Sequence, residues 1–206
     1  MARPARVLML SWEFPPRIVG GIARHVDELA RALAGLGVEV DVLTAHHEGS
    51  LPTEVIAAGE GRVRVLRAGP HPVQPLDFAW NPAAYLEKEG EVEYDLVHAH
   101  DWLVAFASRT LKQGRRWPLV ATIHATEAGR NQGIHTPLQS YIHSIEWLLT
   151  YDAWRVICCS QAMADEVAAG LGTPADKVRV VPNGVDAARV QCNDSPEALA
   201  AFRARL

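Results

Sequence analysis

Residues 6–36, RVLMLSWEFPPRIVGGIARHVDELARALAGL, decide the fold. Val7 to Leu10 is a short apolar run without alternation, as in a strand buried on both faces. A bend carrying Pro15 and Pro16 follows, then Gly20 and Gly21, then a helix. Ile22, Val26, Leu29, Leu33 and Leu36 recur at three- and four-residue steps and predict one apolar face, while Arg24, Asp27, Glu28 and Arg31 fall mostly on the other side. In a strand, glycine turn and helix N-terminus, backbone N–H groups and the helix dipole can receive an anion. Adjacent glycines can take φ > 0 and let a ligand reach the backbone. The pattern is not G-x-G-x-x-G, and no acidic residue ends the second strand to hold a ribose, so a dinucleotide fingerprint is not supported. For this stretch alone, a turn that simply needs glycine is as good an account as a phosphate site.

The same alternation continues along the chain. Val38–Leu43 predicts a second strand, and Thr44 to Gly61 reads as polar and irregular. Arg62–Leu66 gives a third strand, followed by a proline-rich connection and a helix within 82–88. Asp95–His100 is a fourth strand and Trp102–Leu111 a helix. Leu119–Ile123 is a fifth, leading into a long polar loop, Ala125 to Thr136. Leu138, Ile142, Ile145 and Leu149 mark the next helix. Arg155–Cys159 is a sixth strand, with Ser160 as N-cap for the helix 161–169. Val178–Val181 is a seventh, closed by Pro182 and the Asn183-Gly184 turn. Apolar strands alternating with helices imply an α/β, doubly wound, mostly parallel Rossmann-like sheet of about seven strands. Ser195-Pro196-Glu197 is a good helix start, but Leu199, Phe202 and Leu206 have little to pack on. The expected organisation is therefore a domain over 1–190, the start of a linker or helix over 191–206, and a further domain beyond.

Composition narrows the function. The 206 residues carry a formal charge of −4, with 49% hydrophobic and 21% charged residues. No basic stripe exists to neutralise phosphates, so nucleic acid is not an expected partner. No apolar run is long enough to span a bilayer and the N-terminus has no signal-peptide h-region, so no transmembrane segment and a cytoplasmic location are expected. Cys158, Cys159 and Cys192 lack metal-ligand spacing and read as reduced, structural thiols.

Ligands of open α/β sheets sit outside the carboxyl ends of the strands. Those ends carry Trp12 and Glu13, then Gly20 and Gly21, then His98, His100, Asp101 and Trp102. The fifth strand adds His124, Thr126 and Glu127, with Arg130 and Asn131 beyond. Ser160, Asn183 and Asp186 complete the rim. Polar and aromatic groups converging there suit a sugar or sugar phosphate. Asp101 precedes a helix, so capping it accounts for the residue as well as substrate binding does. His98 and His100 share a strand face, but no third ligand stands at an obvious spacing; core or rim histidines bonded to neighbours are the better reading, and no metal site is expected. Trp147 and Trp154 read as packing residues, and Trp12 and Trp102 as packing or ligand contact in equal measure. Ser160 lacks a nucleophile elbow, which argues against a serine hydrolase.

Five stretches in order, Pro15–Gly21, His98–Trp102, Thr122–Glu127, Arg155–Ser160 and Val181–Asp186, resemble the N-terminal domain of the group 1 retaining GT-B glycosyltransferases, in the branch that includes glycogen and starch synthases. The resemblance implies one half of a GT-B fold, with the active site in a cleft closed by a second Rossmann-like domain. It assigns Gly20, Gly21 and Arg17 to the donor phosphates and transferring sugar, and His124 to the donor sugar near its reacting carbon. Asp101 would position donor or acceptor. Trp12, Glu13, Trp102, Thr126, Glu127, Arg130, Asn131 and Asn183 are the implied substrate-binding set. The substrates would be a nucleotide sugar, ADP-glucose or UDP-glucose, and a carbohydrate acceptor, with no cofactor. Ile18 stands where glycogen synthases usually have lysine, and Ala125 where they tend to have asparagine, which leaves sugar and acceptor open. The isolated 206 residues are expected to fold but to transfer no sugar. A GT-B sugar-nucleotide epimerase and a non-catalytic sugar-phosphate module are the competing readings.

Overall fold

The structure is a computed structural model that describes residues 3–69, 86, 92–186 and 195–205. Its core is one eight-stranded sheet. The strands are β1 (Arg6–Ser11), β2 (Glu39–Ala45), β3 (Thr53–Ala58), β4 (Gly61–Ala68), β5 (Leu96–His100), β6 (Leu119–Ile123), β7 (Arg155–Cys158) and β8 (Val178–Val180), in the order β3-β4-β2-β1-β5-β6-β7-β8. Every pairing is parallel except that of β3 with β4. The expected doubly wound α/β fold is present, with eight strands rather than about seven.

The additional strand is β3, in the stretch expected to be irregular. It is an edge strand with partly exposed positions, Glu54 among them, so it lacks the apolar run that marked the others. Arg67 on β4, almost fully buried, pairs with Glu54 at 2.9 Å and fixes the hairpin to the sheet.

Both faces of the sheet are covered, and β1 shows it residue by residue. Val7 and Met9 enter one core cluster with Val26, Ala30 and Ala34 of α1 (Gly21–Gly35). Leu8 and Leu10 enter the other, with residues of α2 (Ala105–Arg115), α4 (Pro137–Asp152) and α5 (Gln161–Leu171). Strand alternation with apolar side chains at every position thus supplies two cores from one segment.

Helix α1 packs on a narrower face than its large apolar residues predicted. Its buried residues are Ala23, Val26, Ala30 and Ala34; Ile22, Leu29 and Leu33 flank them, and Leu36 is 82% exposed beyond the helix end. Small side chains let the helix lie close to the sheet. A Cβ at Gly61 would overlap the carbonyl oxygen of Ala34. Gly61→Ala is therefore expected to cost about 2 kcal/mol through overpacking against backbone, read as a lower urea midpoint; an unchanged midpoint would contradict this close approach.

Four further expectations change in detail. Trp102 opens a short 3-10 turn, Trp102–Val104, before α2. The polar loop after β6 contains a one-turn helix, α3 (Glu127–Arg130). On α4, Ile142, Ile145 and Leu149 are buried but Leu138 is half exposed. Trp147 and Trp154 are not core packing residues: Trp147 is nearly half exposed and stacked on Tyr151, and Trp154 is largely exposed under the Arg155 guanidinium. Helix α6 (Pro196–Arg203) starts as the sequence predicts, Ser195 Oγ accepting the Ala198 N–H at 3.2 Å, and none of its described residues is buried. The helix expected within 82–88 lies, apart from helical Leu86, outside the described residues, as do Cys192 and Leu206.

Candidate active site at the strand exits

The chain leaves β1 toward β2 on one side and returns to β5 on the other, so the strand order reverses between β1 and β5. Such a switch point opens a crevice at the carboxyl ends of the strands. Ser11 pairs with His100, and His100 with Thr122, which brings the residues just beyond β1, β5 and β6 together. A cavity of about 620 Å³ lies there. Its lining includes Trp12, Glu13, Gly20, Gly21, Asp101, Trp102, His124, Arg130 and Asn183, nine of the thirteen residues that the resemblance assigns to the site. Val19, Ile22, His25, His100, Leu103 and Ala125 complete it. A cavity of about 1060 Å³ along α1 and residues 181–186 shares Gly21, His25 and Asn183 with it.

The glycine turn is organised differently from the sequence expectation. Neither Gly20 nor Gly21 has a positive φ; Gly20 is extended at φ −150°. A Cβ on Gly21 would meet nothing within 4 Å, so its missing side chain leaves open space on the cavity side. Helix α1 has no side-chain N-cap and no acidic residue in its first turn. Glu13 from the β1 exit supplies the missing acceptor: its carboxylate takes the N–H groups of Val19 at 2.5 Å, Gly20 at 2.7 Å and Ala23 at 3.0 Å. The anion at this helix N-terminus is the chain's own, and it leaves the loop held in one shape. Arg17 is not in the cavity lining. Its guanidinium lies 5.0 Å from the Trp12 ring and donates to the Trp12 carbonyl at 2.9 Å.

Asp101 sits at φ 65°, uncommon for a non-glycine residue, and its side chain makes no N-cap hydrogen bond deeper in the turn that follows. Its contact with the turn is confined to the backbone N–H of Trp102, the first residue, so capping accounts for only part of its placement. Its Oδ2 accepts from Arg130 Nη2 at 3.1 Å, yet burial outweighs the guanidinium and pushes the carboxyl up to about 6.

Four histidines gather beneath. His98 Nε2 meets Thr122 Oγ1 at 2.7 Å, as expected of a core histidine bonded to a neighbour. His100 Nδ1 and His124 Nε2 are 3.3 Å apart, and the His25 ring stands edge-on to His124 with centroids 4.7 Å apart. Burial, followed by the adjoining rings of His25 and His98 and by Arg130, pushes His124 down to about 3. His98 is lowered to about 4 by burial and by His25. These imidazoles are neutral at physiological pH, each offering one donor and one acceptor. His25 escaped sequence reasoning because it lies one turn into α1, where nothing in the spacing separates it from the helix's other polar residues.

Thr126, Glu127 and Asn131 do not line the cavity; they build the loop that carries Arg130. Thr126 caps α3 and bonds Glu166, while Asn131 Nδ2 donates to Glu127 Oε1 at 2.9 Å. Beneath them, fully buried Glu146 accepts the Glu127 N–H at 2.7 Å. Burial pushes its carboxyl up to about 7, against an ordinary value of 4.5. A folded value above the unfolded one means that the native state holds the proton longer. Stability should then fall as pH rises from about 4.5 to 7, with the penalty complete above 7. Glu146→Gln keeps an acceptor for Glu127. It should gain about 1–2 kcal/mol over the parent at pH 8 and little at pH 5, measured by urea unfolding at both; a gain equal at the two values would contradict the buried-carboxylate account.

Residues 19–189 match the model of Glycosyltransferase Family 4. The chain belongs to glycosyltransferase family 4. Among its relatives, an uncharacterized glycosyltransferase of Methanocaldococcus jannaschii is 39% identical over 202 residues, covering 96% of this chain and 51% of the relative. A glycogen synthase of Mycobacterium tuberculosis is 38% identical over 204 residues, covering 89% and 49%. Of the solved structures, sucrose-phosphate synthase from Thermosynechococcus elongatus superposes with a TM-score of 0.76 at 20% identity, covering 98% of this chain and 53% of that one. An Anabaena protein solved with UDP and glucose has a TM-score of 0.62 at 19% identity, covering 98% and 50%. The fold of this family 4 chain is thus one Rossmann-like half of a GT-B architecture. The chain spans about half the length of the curated relatives it matches. No helix among its described residues is long and apolar enough to cross a membrane.

Proposed function

We propose that this chain is the acceptor-side half of a retaining glycosyltransferase that moves a hexose, glucose first, from a nucleotide sugar to a carbohydrate acceptor such as an α-glucan. The observation that carries the reading is the convergence of the open Gly21 position, neutral His124, Asp101, Trp102 and Asn183 on one cavity at the strand switch point. Its volume of about 620 Å³ suits a sugar with part of its diphosphate. The glycogen synthase relative and the Anabaena structure with UDP and glucose support the substrate class.

In this reading the glycine turn, held by Glu13, faces the donor sugar and phosphates at the open Gly21 position. His124 contacts the sugar near its reacting carbon as a neutral hydrogen-bonding group. Asp101, held by Arg130, orients a hydroxyl of donor or acceptor. The second domain supplies the nucleotide pocket and the cations that bind the diphosphate. Retention follows front-side attack with the leaving phosphate as base, so no protein nucleophile is assigned.

The test is product analysis with the two-domain protein, ADP-glucose or UDP-glucose and a glucan. Free nucleoside diphosphate together with a new α-linked glucosyl unit is the expected outcome. An isomerised nucleotide sugar would replace this reading with an epimerase, and binding without turnover would replace it with a sugar-phosphate module.

A further inference from the structure

Three histidines on the cavity floor bring ring nitrogens from three different elements close together. His25 comes from α1, His100 from the end of β5 and His124 from just beyond β6. Each offers one ring nitrogen, and the three nitrogens lie within 4.8 Å of one another. Two nitrogens bound to one tetrahedral ion at about 2.0–2.1 Å each stand about 3.3–3.4 Å apart. His100 Nδ1 and His124 Nε2 are already separated by 3.3 Å. His25 Nε2 is buried without a hydrogen-bond partner, which is rare for an interior polar atom. The side chain of Asn183 is hydrogen-bonded to the His25 ring, as an outer partner that orients a ligating imidazole would be.

We propose that His25, His100 and His124 form a three-imidazole site for a divalent transition-metal ion of the zinc class on the cleft floor. The fourth coordination position opens to the cavity, as in zinc sites with three protein ligands and an exchangeable water. Three imidazoles and no carboxylate favour Zn²⁺, Co²⁺ or Ni²⁺ over Mg²⁺ and Ca²⁺. His25 makes the adjustment: it is half-buried, and a shift of about 1–1.5 Å closes the triangle to tetrahedral spacing. His98 stays outside, its Nε2 engaged by Thr122. The sequence reading expected no metal here, because the proposed ligands stand on three separate elements and no spacing links them. An ion at this position sits on the floor of the cavity that the sugar would enter, so it competes with the donor. That consequence rests on the sugar-transfer reading; binding of the ion does not.

The experiment titrates the 206-residue chain with Co²⁺ and then Zn²⁺, without nucleotide, following visible absorption and heat. One equivalent of Co²⁺ should give the intense band of a four-coordinate ion, and Zn²⁺ should abolish it. Zn²⁺ should also raise the melting temperature. His25→Ala and His124→Ala should each weaken binding by at least about 30-fold, on the scale seen when the environment of a ligating histidine is disrupted. His135→Ala, at an exposed loop position, should change nothing. If His25→Ala does not fold, His25→Gln serves the same comparison. Absence of binding at micromolar metal, a six-coordinate spectrum, or affinity that survives both substitutions would overturn the site. Failure of sugar transfer with the cobalt band intact would overturn only the sugar reading.

Discussion

His124→Ala is expected to lower kcat of the two-domain protein by about 100- to 1000-fold, the loss of about 3–4 kcal/mol that follows removal of one preorganised transition-state contact. The magnitude rests on how the ring is held. It ends β6 at the edge of the cavity, half-buried, with Nε2 directed at His100 Nδ1 and the His25 ring against it. Burial keeps it uncharged, so its contribution is a directed hydrogen bond rather than a positive charge on the diphosphate. Folding stability should change by less than about 1 kcal/mol, because the ring is only half-buried, at the edge of the cavity. Steady-state kinetics beside a urea melt separates the two effects. An unchanged rate would remove His124 from the site, and an equal loss of rate and stability would make it a structural residue.

Glu13→Ala is expected to cost the domain about 3 kcal/mol of folding stability. Three backbone donors, Val19, Gly20 and Ala23, lose one buried carboxylate. Hydrogen bonds to a charged acceptor contribute about 1.5–3 kcal/mol each, less than additively when they share one group. The carboxylate also interacts favourably with the N-terminal end of the α1 dipole, and no other acidic side chain in the first turn replaces it. Glu13→Gln should fall between, since an amide oxygen still accepts while the charge is gone. Urea unfolding of the three proteins checks the order. A loss under about 0.5 kcal/mol for the alanine variant would mean that water satisfies those N–H groups equally well, and that the glycine loop needs no internal anchor.

Much of the fold was legible because burial on both sheet faces writes itself as uninterrupted apolar runs. Val7–Leu10 and Leu119–Ile123 are of this kind, and each is a strand. What the runs could not disclose was β3, whose Thr53–Ala58 sequence carries the alternating exposure of an edge. Leucine spacing on α1 gave the helix but misjudged its contact face, since alanines at 23, 30 and 34 do the close packing. The site was legible at the level of strand exits, because parallel topology fixes where those exits meet. Its internal roles were not. Glu13, read as a ligand contact, holds the loop; Thr126, Glu127 and Asn131 support Arg130 from outside the cavity. His25 and Glu146 lie inside helices, where a polar residue facing inward has the same local sequence signature as one facing water.

In the proposed reading, the cavity between the ends of β1, β5 and β6 receives the transferring sugar. The deciding measurement is a crystal structure of the two-domain protein with a bound nucleotide sugar. The sugar ring should lie against the Gly20–Gly21 backbone with a hydroxyl within about 3.2 Å of a His124 nitrogen. A sugar bound elsewhere, with this cavity filled only by water, would contradict the account.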